Sequence, residues 1–219
     1  LAEKFGGAFI PKDPAQRCIA GSSGHERTAM LVDKKISGKL DCILARYMPL
    51  RFEPVADVPV EMAQTKEHFR AEPGRNAGLK WKKAPPGARW GGEGVTAWFR
   101  GNVRLPPACA GKPVYVRAAT GGETLFIADG KHHGVFDRNH PVVMMTSHGR
   151  AGHTCHLAFE SYSGHYFPGC GPDDSSGPVE KNCKTFGGVQ LVLARQDVIG
   201  FVHDLDVLRL HVVRLDGDG

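Results

Sequence analysis

The dipeptide Asp129-Gly130 stands between two short runs of mixed apolar and polar residues, Thr124–Ala128 and Lys131–Phe136. Asp and Gly tolerate the positive φ angles of a tight type I′ turn, whose twist matches that of two antiparallel strands. The segment therefore reads as a β-hairpin, and the text on either side keeps its period. Along Thr96–Leu105, Phe99, Val103 and Leu105 fall on one face while Trp98, Arg100, Asn102 and Arg104 fall on the other. Pro106-Pro107 ends that run. Val114, Val116 and Ala118 then alternate with Tyr115 and Arg117, and Gly121-Gly122 turns the chain. Further strands are expected at Val142–Thr146, Thr154–Tyr162 and Gly188–Arg195, with Gly164–Pro178 a loop by composition. The 28 glycines and 15 prolines among 219 residues punctuate short apolar runs, as they do in an all-β body with many turns.

The period changes near both ends. Ile36, Leu40, Ile43, Leu44 and Tyr47 recur at helical spacing, which predicts a helix centred on 33–48 with Asp33 as its cap and Pro49 near its end. Val198, Phe201, Leu205, Leu208 and Val212 recur in the same way. They predict a second amphipathic helix, with Asp197 at the end where a negative charge suits the helix dipole. The expected organisation is an N-terminal segment with one or two helices over 1–75, an antiparallel β-sandwich over 76–195, and an amphipathic helix over 196–219.

The charge of +5 is mild, and the basic residues form no run longer than Lys80-Trp81-Lys82-Lys83, so a nucleic-acid partner is not expected. No long apolar span is present, so no transmembrane helix is expected either. The N-terminus shows no charged start followed by an apolar signal core. The six cysteines, Cys18, Cys42, Cys109, Cys155, Cys170 and Cys183, include no C-x-x-C pair, and the chain is long enough for a core of its own. An even count is also compatible with disulfides, but free thiols of a reducing compartment are the favoured reading, and with them a cytoplasmic location is expected.

Trp90-Gly91-Gly92, Thr96–Arg100, Leu105-Pro106, Gly121–Leu125, Asp129-Gly130-Lys131, Asp137–His140, Glu160–His165 and Asp204–Leu208 occur in an order and spacing that resemble glycoside hydrolase family 38, the α-mannosidases of bacterial and cytosolic or vacuolar type. The resemblance covers 90–210 and fades upstream. It implies a jelly-roll or galactose-binding-like sandwich ahead of a catalytic domain, joined to it by a linker helix. It also implies, for the whole enzyme, retaining hydrolysis of terminal α-mannosides by two carboxyl groups and a divalent metal, usually zinc. The family's metal motif is His-x-Asp followed by Ala-Trp. His203-Asp204 lacks that continuation and falls on a predicted helix, so it reads as a decoy. No catalytic residue, metal ligand or cofactor is therefore assigned to this chain. The implied partners are the catalytic domain of the same polypeptide and mannose-containing glycans, with homo-oligomer contacts a further expectation.

Six residues are candidates for carbohydrate or interdomain contact. Asp137, Arg138, Asn139 and His140 follow the hairpin and precede Pro141, which places charged and amide groups in a loop. The competing reading is a turn capped by Asp137. Trp98 and Arg100 share a strand face, where the ring can stack on a sugar or pack in a seam. Eleven histidines invite a metal. Strand neighbours such as His132 and His133, or Cys155 and His156, face opposite ways, which argues against chelation, a thiol–imidazole nucleophile and a small metal-dependent hydrolase. The remaining alternative is an independent carbohydrate-binding module.

Overall fold

The computed structural model of the protein describes residues 24–165 and 182–217. In chain order it contains α1 (Gly24–Tyr47), β1 (Phe52–Asp57), β2 (Glu61–Thr65), β3 (Lys82–Lys83), β4 (Arg89–Gly91), β5 (Thr96–Arg104) and β6 (Val114–Ala119). These are followed by β7 (Glu123–Ala128), β8 (Lys131–Phe136), β9 (Val142–Thr146), β10 (Thr154–Tyr162), β11 (Cys183–Thr185), β12 (Gly188–Ala194) and α2 (Gln196–Gly217). The chain divides into two compact units, one of residues 53–194 and one of 1–52 with 195–219.

The first unit is a β-sandwich. A four-stranded sheet runs β1-β12-β6-β9 and a six-stranded sheet runs β3-β2-β5-β10-β7-β8, with β11 and β4 forming a small ribbon. β10 is central to the larger sheet and pairs antiparallel with β5 and β7, setting Phe159 opposite both Phe99 and Phe126. Because strand side chains alternate, these aromatics share one face. They meet Val114, Val116 and Leu191 of the smaller sheet in one buried core. Phe126 stacks on Phe159 with ring centroids 5.2 Å apart, and Phe99 stacks on Phe186 at 4.9 Å. Fully burying one such side chain contributes about 1.5–3 kcal/mol, so this aromatic column is a main source of cohesion. Trp90 closes one end, its ring 5.8 Å from Phe99 and its Nε1 donating to the Thr120 carbonyl at 2.7 Å.

The hairpin forms as the sequence predicts. Asp129 and Gly130 have φ of 47° and 76°, the left-handed pair a type I′ turn needs. One irregularity lies inside it: Phe126 faces Gly134 and Ile127 faces His132, so His133 is the extra residue of a β-bulge. The sheets begin earlier than residue 76, at Phe52. Pro54 and the short run between Pro54 and Pro59 hide β1 from a period-based reading, yet β1 joins β12 at the edge, where a proline is tolerated. The proposed Gly164–Pro178 loop lies almost wholly outside the described residues.

In the second unit, α1 begins at Gly24, so Asp33 lies inside the helix and is not its cap. The run Glu26–Leu31 contains good helix formers that carry the helix upstream. Leu44 packs with Val198 and Val202, bordered by Tyr47 and Leu205. The buried line of α2 is therefore Val198, Val202 and Leu205, and it differs from the predicted stripe. Phe201 is 43% exposed and Leu208 56%. Both lines contain Val198 and Leu205, and the position of α1 selects the one that also contains Val202. Phe201 keeps an edge contact with Tyr47, at 5.0 Å between centroids. Among the described residues no helix is long and apolar enough to cross a membrane. Cys42, Cys109, Cys155 and Cys183 are free thiols, while Cys18 and Cys170 lie outside the described residues.

Candidate functional site

The outer face of the six-stranded sheet is built from the residues that alternate with its core. On β10 these are His156, Ala158, Glu160 and Tyr162. They face Asn102, Arg100, Trp98 and Thr96 on β5, in that order. The segment 66–81 lies against this face. Phe69 and Trp81 pack with Trp98, Ile127, Ala158 and Leu125 in a small apolar cluster. Glu72 meets His156, whose Nε2 is 2.9 Å from the carboxylate while its Nδ1 is 2.9 Å from Asn102 Oδ1.

Beside that cover, the sheet face opens into a cleft of about 300 Å³ lined by His68, Thr96, Glu123, Thr124, Leu125, Val135, Glu160 and Tyr162. β10 places Glu160 and Tyr162 two residues apart on one face, and β7 brings Glu123 opposite Tyr162 and Leu125 opposite Glu160. Behind the cleft, Thr124 donates to Ser161 at 2.8 Å and lies 2.6 Å from the Thr120 hydroxyl, a buried ladder that holds β7 against β10. Burial raises the Glu160 carboxyl above its ordinary range, opposed by the nearby His68 and His132. The arrangement offers two carboxyl groups, an imidazole and a phenol around a partly apolar floor. Such a surface suits a neutral polyhydroxylated ligand, whose hydroxyls bond to the polar groups while its C–H face lies on Leu125 and Val135.

The six residues singled out from sequence occupy two other places. Trp98 is 1% exposed, and its Nε1 has no hydrogen-bond partner among the described residues. Arg100 lays its guanidinium 3.7 Å from the Trp81 ring centroid and comes within 3.6 Å of Glu61. Both therefore anchor the 66–81 cover onto the sheet. Asp137 Oδ1 accepts the amides of Asn139 at 2.6 Å and His140 at 2.7 Å, and Asp137 Oδ2 lies 2.9 Å from His140 Nδ1. These hydrogen bonds hold the Asp137 carboxyl below its ordinary range. Arg138 and Asn139 are exposed at the tip of this closed turn. The structure thus brings Asp137 and His140 together, and Trp98 with Arg100, but it does not bring the two groups into one site. His203 and Asp204 sit exposed on α2, 3.4 Å apart.

Sequence reasoning missed the Glu160 cleft. The available signal was the spacing of Glu160 and Tyr162 on the polar face of a strand, two residues apart, opposite Glu123 of the neighbouring strand.

No protein-family model and no curated relative matches the chain. Among solved structures it is similar to a β-glucuronidase from Ruminococcus gnavus bound to D-glucaro 1,5-lactone, with a TM-score of 0.44 and 8% identity over 65% of this chain and 29% of that one. It is also similar to the Faecalibacterium prausnitzii β-glucuronidase, with a TM-score of 0.40 and 12% identity over 66% of this chain and 32% of that one. These neighbours are glycosidases, and the chain spans about a third of their length.

Proposed function

We propose that the chain is the non-catalytic N-terminal region of a glycoside hydrolase of α-mannosidase type. In this reading it holds the catalytic domain of the same polypeptide and shapes one wall of the active-site cleft. The order and spacing of the sequence segments that resemble family 38 support this reading, and the antiparallel sandwich agrees with the fold that the resemblance implies. The observation that carries a carbohydrate role is the Glu160 cleft, with its carboxyl groups, imidazole and phenol over Leu125 and Val135.

The test is a titration of the isolated chain with methyl α-mannoside, followed by amide chemical shifts, alongside an α-mannosidase assay. Shifts confined to residues around Glu160, lost in Glu160→Ala, together with no hydrolysis above background, are the expected result. Turnover that persists after removal of contaminating mannosidase would overturn the non-catalytic reading. Absence of any shift at the cleft would overturn its carbohydrate role.

A second reading, an independent carbohydrate-binding module, is favoured by one observation: every residue lining the cleft belongs to the 53–194 unit. The exposed apolar residues of α2, Leu208 and Leu210 at 56% and 54%, favour the first reading, because they give the chain an apolar surface for a partner domain.

A further inference from the structure

On the opposite face of β10 from Glu160, three side chains of different chemistry converge. One ligand atom from each of Asp129, His153 and Cys155 lies within 4.8 Å of the others. Asp129 Oδ2 lies 3.9 Å from His153 Nε2. A tetrahedral ion with bonds of about 2.0–2.3 Å to N, O and S needs ligand atoms roughly 3.3–3.6 Å apart. The cluster therefore needs only a small closure, and the Asp129 and His153 side chains, each 52% exposed, have room to make it. Cys155 is anchored in the core, at 5% exposure.

Asp129 is held for this role by the backbone. Its Oδ1 accepts the His156 amide at 2.8 Å, and its own amide donates to the His156 carbonyl at 2.8 Å. One carboxylate oxygen is thus fixed and the other is aimed at His153. Outer bonds of this kind orient metal ligands in built sites. The three residues open onto a cleft of about 260 Å³ whose walls include His133, Thr146 and His148. The β-bulge supplies His133, and His148 engages Ser147 through Nδ1 at 3.0 Å. A fourth position could be filled from this wall or by water.

We propose that Asp129, His153 and Cys155 form a binding site for a divalent metal ion of the zinc class. A mixed thiolate, imidazole and carboxylate set is the choice of such borderline ions, whereas calcium and magnesium require oxygen alone. On binding, a metal–sulfur bond forms, the Cys155 S–H bond breaks and the proton passes to buffer. The ion would tie the turn between β7 and β8 to the start of β10. The site is independent of the proposed carbohydrate role.

The test titrates Co²⁺ into the full chain in a background with Cys18, Cys42, Cys170 and Cys183 replaced by Ser. The expected result is one equivalent bound, with a thiolate-to-cobalt charge-transfer band that Zn²⁺ removes, and a melting temperature that rises with Zn²⁺ concentration. Cys155→Ser should abolish the band. His153→Ala and Asp129→Asn should each weaken binding by roughly tenfold or more, since loss of a ligand should cost no less than loss of an outer partner. His153 is exposed, so His153→Ala remains decisive if Cys155→Ser fails to fold. No charge-transfer band, a band unchanged in Cys155→Ser, or affinity unchanged in His153→Ala would each overturn the site.

Discussion

Asp129, in the turn between β7 and β8, and His156 of β10 exchange one backbone and one side-chain hydrogen bond, each at 2.8 Å. The exchange explains why an aspartate, and not only a glycine, can hold φ of 47° there. The Asp129 side chain offsets the cost of the left-handed conformation by accepting the His156 amide from β10, which an alanine cannot do.

Asp129→Ala leaves the Cβ and its left-handed cost in place but removes the acceptor for the His156 amide, so it should destabilise the chain by roughly 1.5–3 kcal/mol, the usual contribution of a hydrogen bond to a charged group. Asp129→Asn keeps both the acceptor and the tolerance of positive φ, and should stay close to wild type in urea unfolding. Equal losses for both substitutions would mean that the carboxylate charge, not the turn geometry, stabilises the hairpin.

The Trp98 indole N–H is buried without a partner among the described residues, a desolvation cost that its packing against Phe69, Trp81 and Ile127 offsets. Trp98→Phe removes the orphan donor and part of the ring together. Its melting temperature is expected to lie near that of wild type, because relief of about 1–3 kcal/mol from the unsatisfied group opposes the lost contacts. Trp98→Ala gains the same relief, but a cavity that typically costs about 3–5 kcal/mol outweighs it, so its melting temperature should fall well below that of Trp98→Phe. If Trp98→Phe proves as damaging as Trp98→Ala, the N–H has a partner that the geometry does not reveal.

Glu160 links stability to pH. Its folded pKa is raised above the ordinary carboxyl value of 4.5 by burial, with His68 and His132 acting the other way. The folded state then binds the proton more tightly than the unfolded state. Stability attached to this group is present below the unfolded pKa and falls as pH rises through the folded one. Glu160→Gln should remove that fall, so the variant gains on wild type as pH increases from acid toward neutral. Melting curves recorded across this range check the sign, and a variant that instead loses ground with rising pH would place a stabilising cation beside Glu160.

The strands were legible because their signal is local. β8, β9 and β10 fall at the expected residues, and Asp129-Gly130 marks the β7–β8 hairpin by backbone chemistry alone. What was not legible depends on partners. Val202 and Phe201 are both apolar, and only the placement of α1 decides that Val202 is covered while Phe201 stays half open. The outer face of β5 reads as solvent-exposed from its Arg, Asn and Arg residues. Trp98 is nevertheless buried, because Phe69 and Trp81 come from a segment with no period of its own. Alternation correctly separates Cys155 from His156. By the same rule His153 and Cys155 share a face, and Asp129 reaches them only after the hairpin has closed.

The exposed face of α2 provides the sharpest test of whether the chain serves a partner domain. Val202 is 5% exposed and packs with Leu44, whereas Leu208 is 56% exposed. Val202→Ser removes a buried apolar group and introduces a hydroxyl among apolar neighbours, so it should lower the melting temperature, with a cost of about 1–3 kcal/mol for the unsatisfied polar group alone. Leu208→Ser exchanges one exposed side chain for another and should leave melting unchanged within about 0.5 kcal/mol. If a catalytic domain of the same polypeptide covers this face, Leu208→Ser should weaken its docking, because burial of a leucine there contributes roughly 1.5–3 kcal/mol. Phe201→Ser should do the same with a small loss of stability, since Phe201 also touches the Tyr47 ring. Association of the separately expressed catalytic domain, measured for both variants beside their melting curves, separates the two effects. Docking that is indifferent to Leu208 and Phe201 alike would remove this face from the interface and favour a module that works alone.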